Sequence, residues 1–342
     1  MRDDNSSYKN IKDGKRNLDG IINVYKEAGF TSHDVVAKLR GILRQKKIGH
    51  TGTLDPEATG VLPVCCGKAT KVCELLTDKD KSYRAVCRLG VETDTQDMTG
   101  TVLNECDTDM ITEEQLRDCV NSFVGETEQI PPMYSALKIN GKKLYELARE
   151  GKTVERKPRK ITISEIDIVD INLEEKIFTM DVTCSKGTYI RTLCHDIGKK
   201  LGVCATMEKL MRTRVSVFKI EDALTLNDIE ILSKEKPEIF REKVYSVDSL
   251  FDYSKVNVAG DGIRYLQNGN TLKAKDFKQD VSGIKQDEKI LVYDENNNFK
   301  AVYQKNENDF KVFKFSRRQK KNGNPKRFGY KSKKQCGITW KV

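Results

Sequence analysis

The feature that most restricts the fold is a change of hydrophobic period within one stretch. From Ile161 to Gly187 the chain reads ITISEIDIVDINLEEKIFTMDVTCSKG. Phe178, Met180, Val182 and Cys184 alternate with polar residues, the period of a strand with one buried face. The polar break at Asn172 to Lys176 turns one strand back on another. Past Gly187 the period changes: Ile190, Leu193, Ile197 and Leu201 form one helical stripe. Thr188 is a candidate N-cap and Gly202 a candidate stop. A hairpin that runs straight into an amphipathic helix needs a sheet with helices laid on it.

The rest of the body agrees. A strand is expected in GIINVYK, and a helix in TSHDVVAKLRGILRQ, capped by Thr31 or Ser32 with Asp34 in its first turn. KSYRAVCRLG puts Tyr83, Ala85, Cys87 and Leu89 on one strand face. TEEQLRDCVNSFVG reads as a capped helix ending at Gly125. The fold class is α+β, with a mixed, largely antiparallel sheet flanked by helices. The texture then changes to three short strands joined by Asn-rich turns in EKILVYDENNNFKAVYQKNENDFKVFKFS, a small β-rich unit.

A chain of 342 residues suggests about two domains. We expect a flexible N-terminus over 1–17, a main domain over 18–250, the β-rich domain over 251–316 and a tail over 317–342. No stretch approaches the roughly 20 apolar residues of a membrane span. The first residues lack the apolar core of a signal peptide, so a cytoplasmic protein is expected. None of the ten cysteines forms a C-x-x-C pair, and we read them as small buried apolar groups in a reducing compartment. The formal net charge of +10 resides entirely in the tail, where Arg317 to Val342 holds ten Lys and Arg and no Asp or Glu.

The most turn-rich stretch is GHTGTLDPEATG, Gly49 to Gly60. The following GVLPVCCGKAT is not a phosphate-binding P-loop: six residues separate its glycines rather than four, and Ala69 stands where Ser or Thr would hold magnesium. DTQDMTG, Asp94 to Gly100, is too poor in ligands for a calcium loop. Asp55 itself can be read in two ways. Before Pro56 it can cap a short helix or turn. It can also be a reactive carboxylate held extended by Pro56, with glycines that let another chain approach.

A longer match bears on that choice. GHTGTLDPEATGVLPVCCGKATK, DKSYRAVCRLGVETDTQDMTG, QIPPMYSALKINGKKLYELAREG and CSKGTYIRTLCHDIGKKLG, in that order, resemble the motifs of the bacterial tRNA pseudouridine synthase B (TruB) family. The likeness spans about residues 20–220, and IRYLQNG extends it to the small RNA-binding PUA domain of such enzymes. It implies a pseudouridine synthase fold and isomerisation of the T-loop uridine at tRNA position 55. Asp55 matches the family's catalytic aspartate, Tyr83 the tyrosine that packs on the target base, and Tyr189 and Arg191 the active-site tyrosine and the arginine paired with the aspartate. His50 and Lys71 match positions near the flipped nucleotide, and Leu210 an apolar pocket residue. One departure is Glu27, where the family's early motif has proline; a local turn difference is expected.

The implied reaction breaks the bond from the ribose anomeric carbon to uracil N1 and rejoins the sugar to C5. It has no redox step and no net hydrolysis, so neither cofactor nor metal is expected. One carboxylate can start it, by attack on the sugar or by removal of a sugar proton. A base stacked in folded tRNA must first be flipped out, at a cost of a few kcal/mol. Residues 134–151 interleave Lys138, Lys142, Lys143 and Arg149 with Tyr134 and Tyr145. That pattern suits an RNA grip, and the family's RNA-clamping thumb, about 130–156, falls here. The expected partner is the T-stem-loop of tRNA, with no membrane and no obligate protein partner, the chain acting as a monomer. The rival readings are a catalytically silent tRNA-folding chaperone and a guide-RNA-dependent relative.

The tail yields a prediction. A chain cut after Ser316 should bind RNA more weakly at low salt. Its salt dependence should be shallower, by about 0.7 in slope for each single-strand phosphate that the tail would otherwise neutralise. Turnover at saturating tRNA should hold. Equal slopes for the two chains in a salt titration would mean that the tail has no RNA partner.

Overall fold

The computed structural model describes residues 18–77 and 79–315. The expectations for 1–17 and for the basic tail fall outside the described residues. In chain order the body comprises β1 (Gly20–Lys26), α1 (Ser32–Ile42), β2 (Ile48–His50), β3 (Thr59–Cys66), α2 (Cys73–Thr77), β4 (Lys81–Leu89), β5 (Val91–Thr93), β6 (Val102–Glu105), α3 (Glu113–Asn121) and β7 (Gly125–Gln129). It continues with β8 (Lys138–Ile139), β9 (Lys142–Lys143), α4 (Leu144–Arg149), β10 (Arg159–Asn172), β11 (Ile177–Cys184), α5 (Ile190–Leu201), β12 (Ala205–Val215), β13 (Phe218–Lys219), α6 (Leu226–Glu235), α7 (Pro237–Glu242) and β14 (Val244–Tyr245). The last part holds β15 (Ser254–Asn257), α8 (Gly262–Asn268), β16 (Leu272–Lys273), β17 (Lys289–Tyr293), β18 (Phe299–Asn306) and β19 (Asp309–Phe315).

The large sheet runs β14-β1-β3-β12-β4-β11-β10-β7, with β2 on β3 and β13 on β12. Its pairings are antiparallel except that β12 lies parallel to β3. β10 and β11 form the expected hairpin, and β11 pairs along its length with β4. Tyr83, Ala85, Cys87 and Leu89 all face the core, as their alternation requires. α5 lays Ile190, Leu193, Cys194 and Ile197 against this face. Burying each large apolar side chain contributes about 1.5–3 kcal/mol, so the stripe holds α5 firmly to the sheet.

Gly60 explains how β3 and β12 come together. Its φ is +103°, and a Cβ there would lie 2.2 Å from Arg212 O. Any other residue would force the two strands apart at the point where they pair, Gly60 opposite Arg212.

Thr31 caps α1 and Thr112 caps α3, each with its capping box. Three local expectations need correction. α3 ends at Asn121, because Gly125 opens β7 instead. Thr188 does not cap α5; its hydroxyl donates to Ser185 O, and the N-cap is Tyr189. The cysteines are not uniform either. Cys65, Cys66, Cys87, Cys119, Cys184 and Cys194 are buried thiols, but Cys106 and Cys204 form a disulfide. The chain past β6 returns beside the start of β12: Cys106 N–H donates to Gly90 O, and Gly90 N–H donates to Cys204 O.

Candidate active site

The segment between β2 and β3 carries Asp55. It forms no helix; Ala58 N–H donates to Asp55 O in a single turn. Three anchors hold it from below. Leu54 N–H donates to Ser32 Oγ at 2.9 Å, which ties the loop to the start of α1. The fully buried Lys26 donates from Nζ to Ala58 O at 2.6 Å, Pro56 O at 2.8 Å and Glu27 O at 3.0 Å. Glu27, the departure from the family motif, thus contributes a carbonyl here. Burial pulls the Lys26 ammonium down to about 8. Arg212, only 1% exposed, donates from Nε to Val61 O at 2.7 Å and from Nη2 to Gly52 O at 3.4 Å. With its backbone so fixed, the loop leaves the Asp55 side chain 43% exposed.

α5 supplies the opposite wall. Arg191 is 5% exposed, and its Nε lies 3.0 Å from Asp55 Oδ2. The guanidinium is not given to Asp55 alone but is shared. Nη1 donates to Thr95 O at 2.9 Å and lies 3.5 Å from Asp97 Oδ2, and Nη2 donates to Tyr134 O at 2.8 Å. Four acceptors from three chain segments orient one buried cation.

Tyr83, on β4, is buried, and Arg212 stands directly opposite it on β12. Tyr189 is half-buried at the N-cap of α5. Burial pushes both phenols up, so they remain protonated at neutral pH. Leu210, opposite Ala85, is half-buried against the cluster that includes Leu54 and Tyr83. His50, on β2, packs its ring edge-on to His33 with centroids 5.2 Å apart. Burial and then His33 pull its pKa down, which keeps the imidazole neutral.

The remaining residues lie on other elements. Lys71 ends a 3-10 turn that follows β3. Lys138 and Lys143 pair across the β8–β9 hairpin. Lys143 donates to Tyr145 OH at 3.0 Å, and Lys142 lies 3.5 Å from Glu150 Oε1. The root of this segment nevertheless reaches the site, through Tyr134 O on Arg191. Among the described residues no group of three His, Cys, Asp or Glu side chains is set to hold a metal ion.

Lys26, Asp97, Gln129 and Arg212 were not singled out from the sequence. Lys26 and Arg212 carry one usable signal, a charged residue at an inward position of an apolar strand. Asp97 lies in DTQDMTG, where its carboxylate also accepts from Thr99 N–H and from the Thr95 and Thr99 hydroxyls.

Residues 40–190 match the TruB family pseudouridylate synthase N-terminal domain, and 191–252 the tRNA pseudouridylate synthase B C-terminal domain. A protein of Lachnoclostridium phytofermentans named tRNA pseudouridine synthase B is 52% identical, over 85% of this chain and 96% of its own. One of that name from Clostridium perfringens is 44% identical, over 87% and 98%. Among solved structures, the Crystal Structure of a Cbf5-Nop10-Gar1 Complex matches with a TM-score of 0.67 and 28% identity, over 87% of this chain and 84% of that one.

The loop anchors yield a prediction. Lys26→Met removes the donor to three carbonyls, of which only Pro56 O keeps another, Gly29 N–H. Unsatisfied buried acceptors cost about 1–3 kcal/mol each, partly offset because a desolvated ammonium is also removed. A net loss of about 2 kcal/mol is expected in urea unfolding. An unchanged midpoint would mean that Lys26 does not hold the loop.

Proposed function

The chain belongs to the TruB family of pseudouridylate synthases, and from that premise we propose that Asp55 acts on the T-loop uridine at position 55 of tRNA. The protein is a tRNA pseudouridine synthase, an isomerase. The observation that carries the proposal is the Asp55–Arg191 pair. A carboxylate 43% exposed is held by a guanidinium 5% exposed, at 3.0 Å. The buried partner fixes the exposed one and leaves an oxygen free to meet a ribose.

In this reading the uridine is flipped from its stack and lies against Tyr83 and Leu210. Asp55 starts the reaction at the sugar, by attack on the anomeric carbon or by taking a sugar proton. The bond to N1 breaks, the freed uracil turns, and the sugar bonds to C5. The C5 proton leaves and N1 gains one, so atoms balance without a cofactor. Tyr189 and Arg191 border the reacting centre, and His50 lies beside the flipped nucleotide. Lys138, Lys142 and Lys143 contact RNA phosphates, with Lys71 a further contact. The small sheet from β15 to β19 serves as a PUA-like RNA-binding domain. The enzyme works as a monomer in the cytoplasm on the T-stem-loop, without a guide RNA. Its greater identity to proteins named tRNA pseudouridine synthase B than to the Cbf5 chain favours this over the guided mode.

Two variants test the assignment. Asp55→Asn keeps shape and loses the anion, so pseudouridine formation on an unmodified tRNA transcript should fall to background with tRNA affinity nearly unchanged. Arg191→Lys keeps charge but cannot reach Asp55, Thr95 O and Tyr134 O together. Its turnover should drop on the order of 100-fold. Substantial turnover by Asp55→Asn would remove Asp55 from the chemistry. Failure of the purified wild-type chain on tRNA alone would point to a partner or guide.

A further inference from the structure

A buried amide joins the root of the 130–156 segment to the helix that carries Arg191. Gln129, the last residue of β7, is 4% exposed. Its Nε2 donates to Tyr189 O at 3.0 Å, and its Oε1 accepts from Tyr189 N–H at 2.8 Å. One side chain thus occupies both backbone groups of one residue, as a paired strand would. Tyr189 belongs to no strand; it is the N-cap of α5 and has no side-chain cap of its own. The usual capping group is also absent, since the Thr188 hydroxyl donates to Ser185 O. An amide from 60 residues away instead holds the N-cap residue's own N–H and C=O.

We propose that Gln129 is a positioning residue for the reaction: it fixes the Tyr189 backbone, and through the first turn of α5 the Arg191 guanidinium, against the root of the 130–156 segment. The inference rests on the reading of Asp55 and Arg191 given above. β7 lies at the end of the large sheet and pairs only with β10 among the described strands. Its last residue leads directly into the 130–156 segment. Two polar links run from that root to the site, Gln129 to the Tyr189 backbone and Tyr134 O to Arg191 Nη2. RNA held by the segment bears on Arg191 through both.

The position needs a donor and an acceptor, which an amide supplies and a carboxylate does not. A carboxylate at 129 would set its lone pairs against Tyr189 O. A protonated carboxyl again offers one donor and one acceptor. Gln129→Glu therefore separates hydrogen bonding from shape, and Gln129→Met removes the hydrogen bonding at every pH. Burial beside a carbonyl raises the pKa of the introduced acid above the usual value of about 4.3, against the opposing pull of the Tyr189 N–H and of Arg159, which stands opposite position 129 on β10.

The test compares wild type and both variants on an unmodified tRNA transcript between about pH 5.5 and pH 8, with each rate expressed relative to wild type at the same pH. Near pH 8 both variants should lose on the order of 10–100-fold in kcat, with KM within about threefold. As pH falls, Gln129→Glu should recover and Gln129→Met should not. A part in packing alone would lower both equally at all pH values. The proposal is overturned by unchanged kcat, by a loss confined to KM, or by a Glu variant that tracks the Met variant across the range. If neither variant folds, hydrogen exchange on the wild-type chain decides: the Tyr189 amide should exchange as slowly as the interior of α5, and exchange at the rate of open backbone would overturn the link. That measurement does not depend on turnover. Full activity of Arg191→Lys would instead strike at the reading of the site.

Discussion

The guanidinium of Arg191 is the point at which three separate parts of the chain meet. Asp55 comes from the loop before β3, Thr95 and Asp97 from the β5–β6 turn, and Tyr134 from the segment after β7. A cation 5% exposed would be costly if it were unpaired. Two carboxylates and two carbonyls offset that cost, so the charge that orients Asp55 also holds the three segments in register. Asp97 makes the arrangement asymmetric. It shares the guanidinium from the buried side and spends its remaining oxygen capacity on Thr95 and Thr99. Asp55 shares it from the open side and retains accessible surface.

The floor under Asp55 follows a different rule. Lys26 and Arg212 are buried cations, and among the described residues neither forms an ion pair; carbonyl oxygens of the loop receive their protons instead. An acidic partner in either place would bring a second negative charge beneath Asp55 and compete for Arg191. Carbonyl acceptors fix the backbone and leave the positive field in place. Lys26 sits at the end of β1 and Arg212 within β12, so the loop is clamped by the two strands that flank β3 in the sheet.

The parts of this fold that were legible in the sequence are those governed by local spacing. β4, the β10–β11 hairpin, α1 with a cap at Thr31 or Ser32, and the α5 stripe follow from alternation, turn residues and helical period; the structure chooses Thr31. What could not be read depends on partners distant in sequence. Gln129 reaches Tyr189, Arg212 reaches Gly52, and Cys106 meets Cys204 across a separation of 98 residues. Thr188 illustrates the limit: its type and position suit an N-cap, but the helix starts one residue later, at an N-cap Tyr189 whose backbone is held by a tertiary amide, and the Thr188 hydroxyl turns back to Ser185 O. The candidate site divides in the same way. Asp55, Tyr83, Tyr189 and Arg191 came from a family resemblance, whereas the sharing of Arg191 among four acceptors needed coordinates.

The small sheet depends on the same framework. Leu291, Tyr293 and Val302 pack into one cluster with Ile21 of β1 and with Val61 and Cys65 of β3. Tyr293 OH donates to Asp248 Oδ2 at 2.7 Å and closes the edge of that contact. β3 thus presents part of its surface to the small sheet, while its first residues lead directly out of the Asp55 loop. Because interiors pack densely and deform little, a displacement of the small sheet is resisted by the strand that ends at the loop. The spacing between the surface of residues 254–315 and Asp55 is therefore set by packed apolar side chains rather than by a tether.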